Sequence, residues 1–165
     1  MAIEYSLKIG KIVPESLLIQ ELESMGYKNI DVVELSRGIE IRSFEETLGL
    51  TLYLTESGAY PYNAYDTPFL KNEFVYESAL SFRFINNLHN NKSFEFMLAL
   101  VFNLMKNHNA NALFLSNGDN ELCFFSKGSV YLENSSHVWD TGCFAEILKG
   151  HRYSIFDGNH ILLDE

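Results

Sequence analysis

The sequence predicts an α+β fold with a mainly antiparallel sheet and two principal helices. Short segments of alternating apolar and polar residues follow one another through tight turns, which is typical of antiparallel strands. Only two long segments have helical spacing, too few to cover the faces of an eight-stranded parallel sheet. The predicted order of elements is β-α-β-β-β-β-α-β-β-β.

The length and composition predict one globular domain spanning 1–165. The chain has 165 residues, of which 47% are hydrophobic and 21% charged, a composition outside the disordered class. Residues 2–56 and 73–134 share the order strand, helix, three strands without visible sequence identity. This leaves open a duplicated βαβββ unit, whose halves are joined by an aromatic loop at 57–72.

The first half contains one helix among short strands. Apolar residues recur at helical spacing after Pro14, a residue tolerated in a first helical turn, and Gly26 is suited to end the helix. Alternation predicts the strands of this half, with leucines at every second position in the last of them. These strands are Ala2–Ile9, Ile30–Leu35, Ile39–Ser43 and Thr47–Thr55.

The second half begins after a segment, Ser57–Asn72, that lacks regular periodicity. A connection of this length is usually functional or disordered, and its aromatic content favours an ordered, functional loop. A long strand at Glu73–Asn86, bent near Ser78-Ala79, then leads to the helix at Ser93–His108. Three strands and a short helix follow, and the tail His151–Glu165 has no clear pattern. They are Ala112–Ser116, Glu121–Ser126, Val130–Glu133 and Thr141–Lys149.

The helix at 93–108 is apolar on almost all sides, which predicts burial on more than one face. We expect it to lie against the sheet with a further element beside it. Its broad apolar face also offers a route to homo-oligomerisation, so a dimeric interaction or scaffold domain is one alternative function.

The charge of the chain argues against some partners. Twelve Lys and Arg face 22 Asp and Glu, giving a net charge of −10. Affinity for nucleic acids comes largely from cations on phosphates, so we expect no nucleic-acid partner. Anionic membrane surfaces are disfavoured for the same reason. Residues 1–56 and 93–165 each carry a net charge of −5, whereas 57–92 is neutral.

An aromatic, proline-containing loop between two acidic halves predicts a binding patch for a cationic protein. Exposed tyrosines are frequent binding anchors, and surface acidity accelerates encounter with basic partners. The alternative is that Tyr60, Tyr62 and Phe69 pack the loop onto the sheet edge. The predicted partner-binding residues are Tyr60, Tyr62, Tyr65, Asp66, Glu73 and Glu77.

No motif for a metal, a cofactor or catalysis is present in the sequence. The five histidines form no helical pair at four-residue spacing, and there is no CxxC. His137 with Asp140, and Asp157 with His160, are interpreted as solvated loop residues. We therefore expect no bound metal, no cofactor and no enzymatic activity.

Two cysteines are too few for a disulfide framework, which favours reduced thiols in a cytoplasmic protein. Met1–Gly10 lacks the basic segment of a secretory signal, and the longest apolar run, Phe96–Phe102, is too short to cross a membrane. A small cysteine-dependent hydrolase, using Cys143 with His137 or His151, is the enzymatic alternative.

Several segments resemble a known group of proteins. They are the opening Met1-Ala2-Ile3-Glu4-Tyr5-Ser6-Leu7, the run from Ala112 to Asp119 with the strands at Leu122 and Val130, and Trp139 before an aromatic-rich end. These are similar to bacterial immunity proteins of the swarm-inhibition, or contact-dependent polymorphic toxin, type.

That resemblance implies a cytoplasmic antitoxin that binds and neutralises one cognate toxin domain, without a catalytic motif. The negative charge of the chain is consistent with such a function, because many intracellular toxins are basic nucleases that act on polyanions. We expect a one-to-one complex. The loop at 57–72 has no counterpart in that group, so the predicted patch rests on this chain's own residues.

Overall fold

A nine-stranded sheet forms the centre of the protein in a computed structural model that describes residues 3–163. The strands are β1 (Ile3–Ile9), β2 (Val32–Leu35), β3 (Gly38–Ile41), β4 (Leu50–Glu56), β5 (Ala64–Tyr65), β6 (Phe74–Val75), β7 (Ser78–Phe84), β8 (Ala112–Ser116), β9 (Asn120–Ser126), β10 (Ser129–Leu132) and β11 (Tyr153–Ile155). The helices are α1 (Glu15–Ser24), α2 (Glu45–Leu48), α3 (Asn91–Asn107) and α4 (Gly142–Ile147), with a 3₁₀ turn at Val138–Asp140.

Strand β1 lies in the middle of the sheet, between strands from later in the chain. The strand order is β11-β10-β9-β8-β1-β7-β4-β3-β2, and β5 pairs with β6 in a separate two-stranded sheet. Leu7 lies opposite Leu80 on one side and Phe114 on the other, both in antiparallel register. Of the described strand pairs, β10–β11 alone is parallel. The predicted α+β class, with a mainly antiparallel sheet and principal helices α1 and α3, is confirmed.

The two halves of the chain enter the sheet in opposite directions. After α1 the chain runs from the edge strand β2 inward to β4, whereas after α3 it runs from β8, beside β1, outward to β10. A duplicated unit would repeat one strand order. The duplicated βαβββ unit left open by the sequence therefore has no support in the topology.

Helix α3 packs its apolar residues against one face of the sheet, which we call the first face, and against α1 and α4. The Asn90 side chain accepts a hydrogen bond from the Lys92 amide at 2.9 Å and so caps the helix. Its fully buried residues include Met97, Leu100, Val101 and Leu104, whereas its exposed residues are polar. This apolar face is covered within one chain, so the possible homo-oligomerisation through residues 93–108 stays a prediction that the buried face does not support.

The second face of the sheet is covered over β8, β9 and β10 by two irregular segments. One is residues 57–77, between β4 and β7, which we call the covering segment; the other is the C-terminal tail. Their apolar side chains form a second cluster with the outward-facing side chains of the sheet. This cluster contains Phe69, Leu70, Phe74, Leu113, Leu115 and Phe124, with Phe156, Ile161 and Leu163 packed against it.

The sequence placed the start of β4 too early. Thr47–Thr55 reads as one alternating strand, but Glu45–Leu48 forms a helical turn and the strand begins at Leu50. Gly49 takes a left-handed conformation, with φ of 65°, that ends the turn. Leu48 is nevertheless buried, so the alternation of leucines continues across two different local structures.

Two other segments differ from their predicted structure, and a third segment had no prediction. The long strand expected at Glu73–Asn86 is broken at Tyr76-Glu77, so β6 pairs with β5 while β7 joins the main sheet. The loop expected at Ser57–Asn72 contains β5. The tail contributes β11, for which the sequence made no prediction. The remaining predicted strands and the short helix near 141–149 are confirmed with small shifts at their ends.

Candidate partner-binding surface

The covering segment is held on the sheet by two buried phenylalanines. Phe69 is fully buried and stacks on Phe124, with ring centroids 5.9 Å apart. Phe74 meets the same Phe124 ring edge-on at 5.3 Å. Asn63, near the middle of the segment, donates a hydrogen bond to the Tyr76 carbonyl at 3.0 Å. These contacts fix the backbone that carries the predicted binding residues.

Tyr60 and Tyr62 project from this anchored segment into solvent. Their exposed fractions are 64% and 85%. The Tyr60 hydroxyl donates to Glu73 Oε1 at 3.0 Å, and this hydrogen bond is the main reason why the pKa of Tyr60 is raised. The alternative from the sequence thus holds for Phe69, which packs the loop down, but Tyr60 and Tyr62 do not pack onto the sheet.

Tyr65 is half-buried and bridges to the turn between β8 and β9. Its hydroxyl donates to the Gly118 carbonyl at 3.2 Å. Burial raises the pKa of Tyr65, and the neighbouring carboxylates of Glu121 and Asp119 raise it further. Lys8 lies on the sheet side, with Nζ 5.9 Å from the centre of the Tyr65 ring. The exposed edge of Tyr65 therefore lies in acidic surroundings above one cation.

The three predicted acids are all exposed, but they are not all adjacent. Asp66 follows and Glu73 precedes the antiparallel pair Tyr65–Phe74, so both extend the β5–β6 hairpin at the same end. Glu77 lies beyond the other end of β6, where its amide donates to the Ile9 carbonyl at 2.8 Å. The structure thus joins Tyr60 directly to Glu73 and places Glu77 apart from them.

A groove with an apolar floor and an acidic rim lies near Glu77, and sequence reasoning missed it. It encloses about 220 Å³ between the β2–β3 hairpin, the start of α1 and the end of β4. Val13, Ile39 and Leu54 line its floor, Glu15, Glu34 and Glu56 line its rim, and none of its lining residues is Lys, Arg or His. In sequence these acids resemble ordinary solvated positions, so only the fold brings them together.

The second face over β7, β4 and β3 is polar and carries a network centred on Glu40. Arg42 donates two hydrogen bonds to the Glu40 carboxylate, at 3.0 and 3.1 Å. These bonds lower the pKa of Glu40, and Tyr53 donates to the same carboxylate. Burial, followed by Glu40, raises the pKa of Tyr53. Arg42 thus compensates the negative charge of Glu40 within the chain. This makes the region less suited to a cationic partner than the groove.

The structure does not bring Cys143 together with either proposed histidine. Cys143 lines a surface depression with Glu95, Glu146 and Ile147, and no histidine lines it. The His137 ring instead lies 2.8 Å from Asp140 Oδ2, and the His151 ring packs on Phe102. The geometry therefore does not form the cysteine–histidine pair that the hydrolase alternative requires.

The part of the chain that the structure describes was also compared with the requirements of a metal site and of a membrane-spanning helix. Within residues 3–163, no group of three or more His, Cys, Asp or Glu side chains is positioned to hold a metal ion. The Asp157 carboxylate accepts a hydrogen bond from the Asn159 backbone amide at 2.9 Å. None of the helices in the same range combines the length and apolar composition that a membrane crossing requires.

Comparisons with known proteins identify the family. Curated proteins and solved structures give no significant match to this chain. A family model described as SitI3-like matches residues 3–143, which is most of the chain. SitI proteins are immunity proteins, in agreement with the resemblance stated above. The chain belongs to the SitI3-like family.

Proposed function

We propose that this protein is an immunity protein that binds a cognate bacterial toxin domain one-to-one and neutralises it without catalysis. The observation that carries the proposal is the pair Tyr60 and Tyr62, exposed by 64% and 85% on a segment whose own core is buried. Rigid aromatic anchors lose little conformational entropy on binding and are enriched at the centres of interfaces. Membership of the SitI3-like family supports the same function.

The proposed interface joins the tyrosine patch to the acidic features around it. Tyr60, Tyr62 and Tyr65 supply apolar contact area, and Asp66, Glu73, Asp119 and Glu121 supply negative charge beside them. The acid-rimmed groove near Glu77 suits the aliphatic stem and cationic head of a lysine or arginine. Such a surface favours a basic protein, and a nuclease domain is the toxin class whose polyanionic substrate calls for that charge.

The net charge of −10 would steer a basic toxin toward the inhibitor. Steering raises the association rate, while buried aromatic anchors slow dissociation. Both cysteines are free thiols, as is usual in a reducing cytoplasm. We propose that the inhibitor acts in the cytoplasm of the cell that makes it, where an incoming toxin would act.

Co-expression tests this proposal. The toxin domain encoded beside this chain is produced with it, and the mixture is separated by size-exclusion chromatography with light scattering. We expect one peak with the summed mass of one copy of each protein. Separate elution of the two proteins at micromolar concentration would refute the proposal, and a complex of two inhibitor copies would refute its stoichiometry.

A further inference from the structure

One cavity in this acidic protein has cationic side chains in its lining. The cavity encloses about 230 Å³ where the end of α3, the β9–β10 turn and the segment between α4 and β11 meet. Lys106, His151 and Arg152 line it, together with serine and glycine residues of the turn, and no Asp or Glu does. In a chain with 22 acidic residues, this exclusion of carboxylates sets the cavity apart.

The cationic side chains have no carboxylate partner within the described structure. None of the ion pairs among residues 3–163 involves Lys106 or Arg152. The Lys106 ammonium is close enough to His151 to lower the pKa of its ring, to which burial contributes first. Two cations, Lys106 and Arg152, thus line the cavity without a carboxylate in the same lining, an arrangement that a bound anion would stabilise.

The cationic segment is held in place by its backbone. The Val130 amide donates to the Arg152 carbonyl at 3.2 Å, and the His151 amide donates to the Leu148 carbonyl at 3.1 Å. The His151 ring packs edge-on against Phe102, with centroids 5.0 Å apart. The backbone on this side of the cavity is therefore fixed before any ligand arrives, which reduces the entropy cost of binding.

Part of the lining is apolar and limits the ligand further. Its apolar lining residues are Phe102, Met105, Phe125 and Val130, so the cavity combines apolar surface with cationic donors. Its volume of about 230 Å³ suits a small ligand. An arginine fork matches the two oxygens of a carboxylate.

We propose that this cavity binds a small organic carboxylate whose apolar body rests on Phe102, Met105 and Phe125. The carboxylate is held by Arg152 and Lys106, and the hydroxyls of Ser126 and Ser129 complete the polar side. The site lies apart from the tyrosine patch and shares no residue with it. Its existence is independent of toxin binding.

The test uses the full chain and sodium benzoate as the probe, at constant ionic strength. Amide chemical shifts are followed by NMR during the titration. We expect saturable binding with the largest shifts at Gly128, Ser129 and Gly150. Replacing both cations, with Lys106→Gln and Arg152→Gln, should weaken benzoate about tenfold or more, since each loses a charge-assisted hydrogen bond.

A matched control removes the same charge elsewhere, with Lys28→Gln and Lys71→Gln, and should leave the affinity within about twofold. Inorganic phosphate is titrated in parallel, because it shares the charge but lacks an apolar body. Weaker binding of phosphate than of benzoate supports the proposal, and tighter binding overturns the carboxylate assignment. Absence of saturable benzoate binding, shifts that map elsewhere, or equal weakening in the control variant overturns the site.

Discussion

Phe69 stacks on Phe124 with ring centroids 5.9 Å apart, and this contact joins the covering segment to the second face of the sheet. Phe69 also lies 4.7 Å from the Phe156 ring of the C-terminal tail. One buried ring therefore connects the sheet, the tail and the segment that carries Tyr60 and Tyr62. The proposed binding patch thus depends on a residue that is itself fully buried.

Phe69→Ala should lower the free energy of unfolding by about 3–5 kcal/mol, because it removes a fully buried ring and leaves a cavity. Chemical denaturation followed by circular dichroism measures this. Tyr62→Ala is the control and should change stability by less than about 0.5 kcal/mol, since its side chain is exposed. A loss below about 1 kcal/mol in Phe69→Ala would mean that other contacts hold the covering segment.

Tyr62→Ala and Tyr65→Ala should each weaken toxin binding by more than about 1 kcal/mol, because truncating an aromatic anchor removes buried contact area. Isothermal titration calorimetry with the purified toxin domain measures the affinities. Asp66→Lys should act differently and mainly slow association, as expected for a charge at the edge of an interface. Unchanged binding in all three variants would place the interface elsewhere.

The double variant Glu34→Gln and Glu56→Gln tests the acid-rimmed groove. We expect slower association and a weaker dependence of the rate on salt, because two charges that attract a basic partner are lost. Stopped-flow mixing at several salt concentrations provides the rates. Glu23→Gln with Glu95→Gln removes two exposed charges outside the groove. Equal slowing in both double variants would show that only total charge matters.

Two histidines should make the protein less stable as the pH falls below neutrality. Burial lowers the pKa of His108, with a smaller contribution from Lys11, and burial followed by Lys106 lowers the pKa of His151. The unfolded chain therefore binds more protons than the folded one. Stability is complete above the unfolded pKa of about 6.5 and declines as the pH falls from that value to the folded pKa.

Replacing His108 and His151 with glutamine should reduce the dependence of the free energy of unfolding on pH between pH 7 and 5. Carboxylates whose pKa is lowered by folding, such as Glu40, stop stabilising the protein only below their unfolded pKa near 4.5. They therefore contribute little to the slope between pH 7 and 5. Urea denaturation at a series of pH values measures the profile. A slope equal to that of the unmodified chain would assign the pH dependence to other groups.

The sequence predicted most strands because one covered face gives a clear two-residue alternation. In β7, Leu80, Phe82 and Phe84 are buried while Arg83 is exposed. Strand β11 shows the limit of that reasoning, since Tyr153, Ser154 and Ile155 are all exposed and no alternation marks them. The central place of β1 depends on pairing with β7 and β8, which are distant in sequence, and no local pattern contains that information.

Sequence patterns identified only some residues of the candidate site, because they do not show which side chains are exposed or which distant elements meet. Aromatic content singled out Tyr60 and Tyr62, but the sequence alone could not separate exposed rings from the buried Phe69, because all three occur in the same irregular segment. The cationic cavity and the acid-rimmed groove consist of ordinary residues from distant elements. Their charge becomes distinctive only when the fold excludes the opposite charge from their surroundings.

Titration of the toxin domain's activity with this protein tests the central claim most directly. A stoichiometric inhibitor should reduce the activity linearly to the background at one equivalent, with no further change on longer incubation. The Tyr60→Ala, Tyr62→Ala double variant should require a clear excess to reach the same point. Full toxin activity at a large excess of the unmodified protein, or inhibition that continues to increase with time at substoichiometric amounts, would contradict inhibition by one-to-one binding.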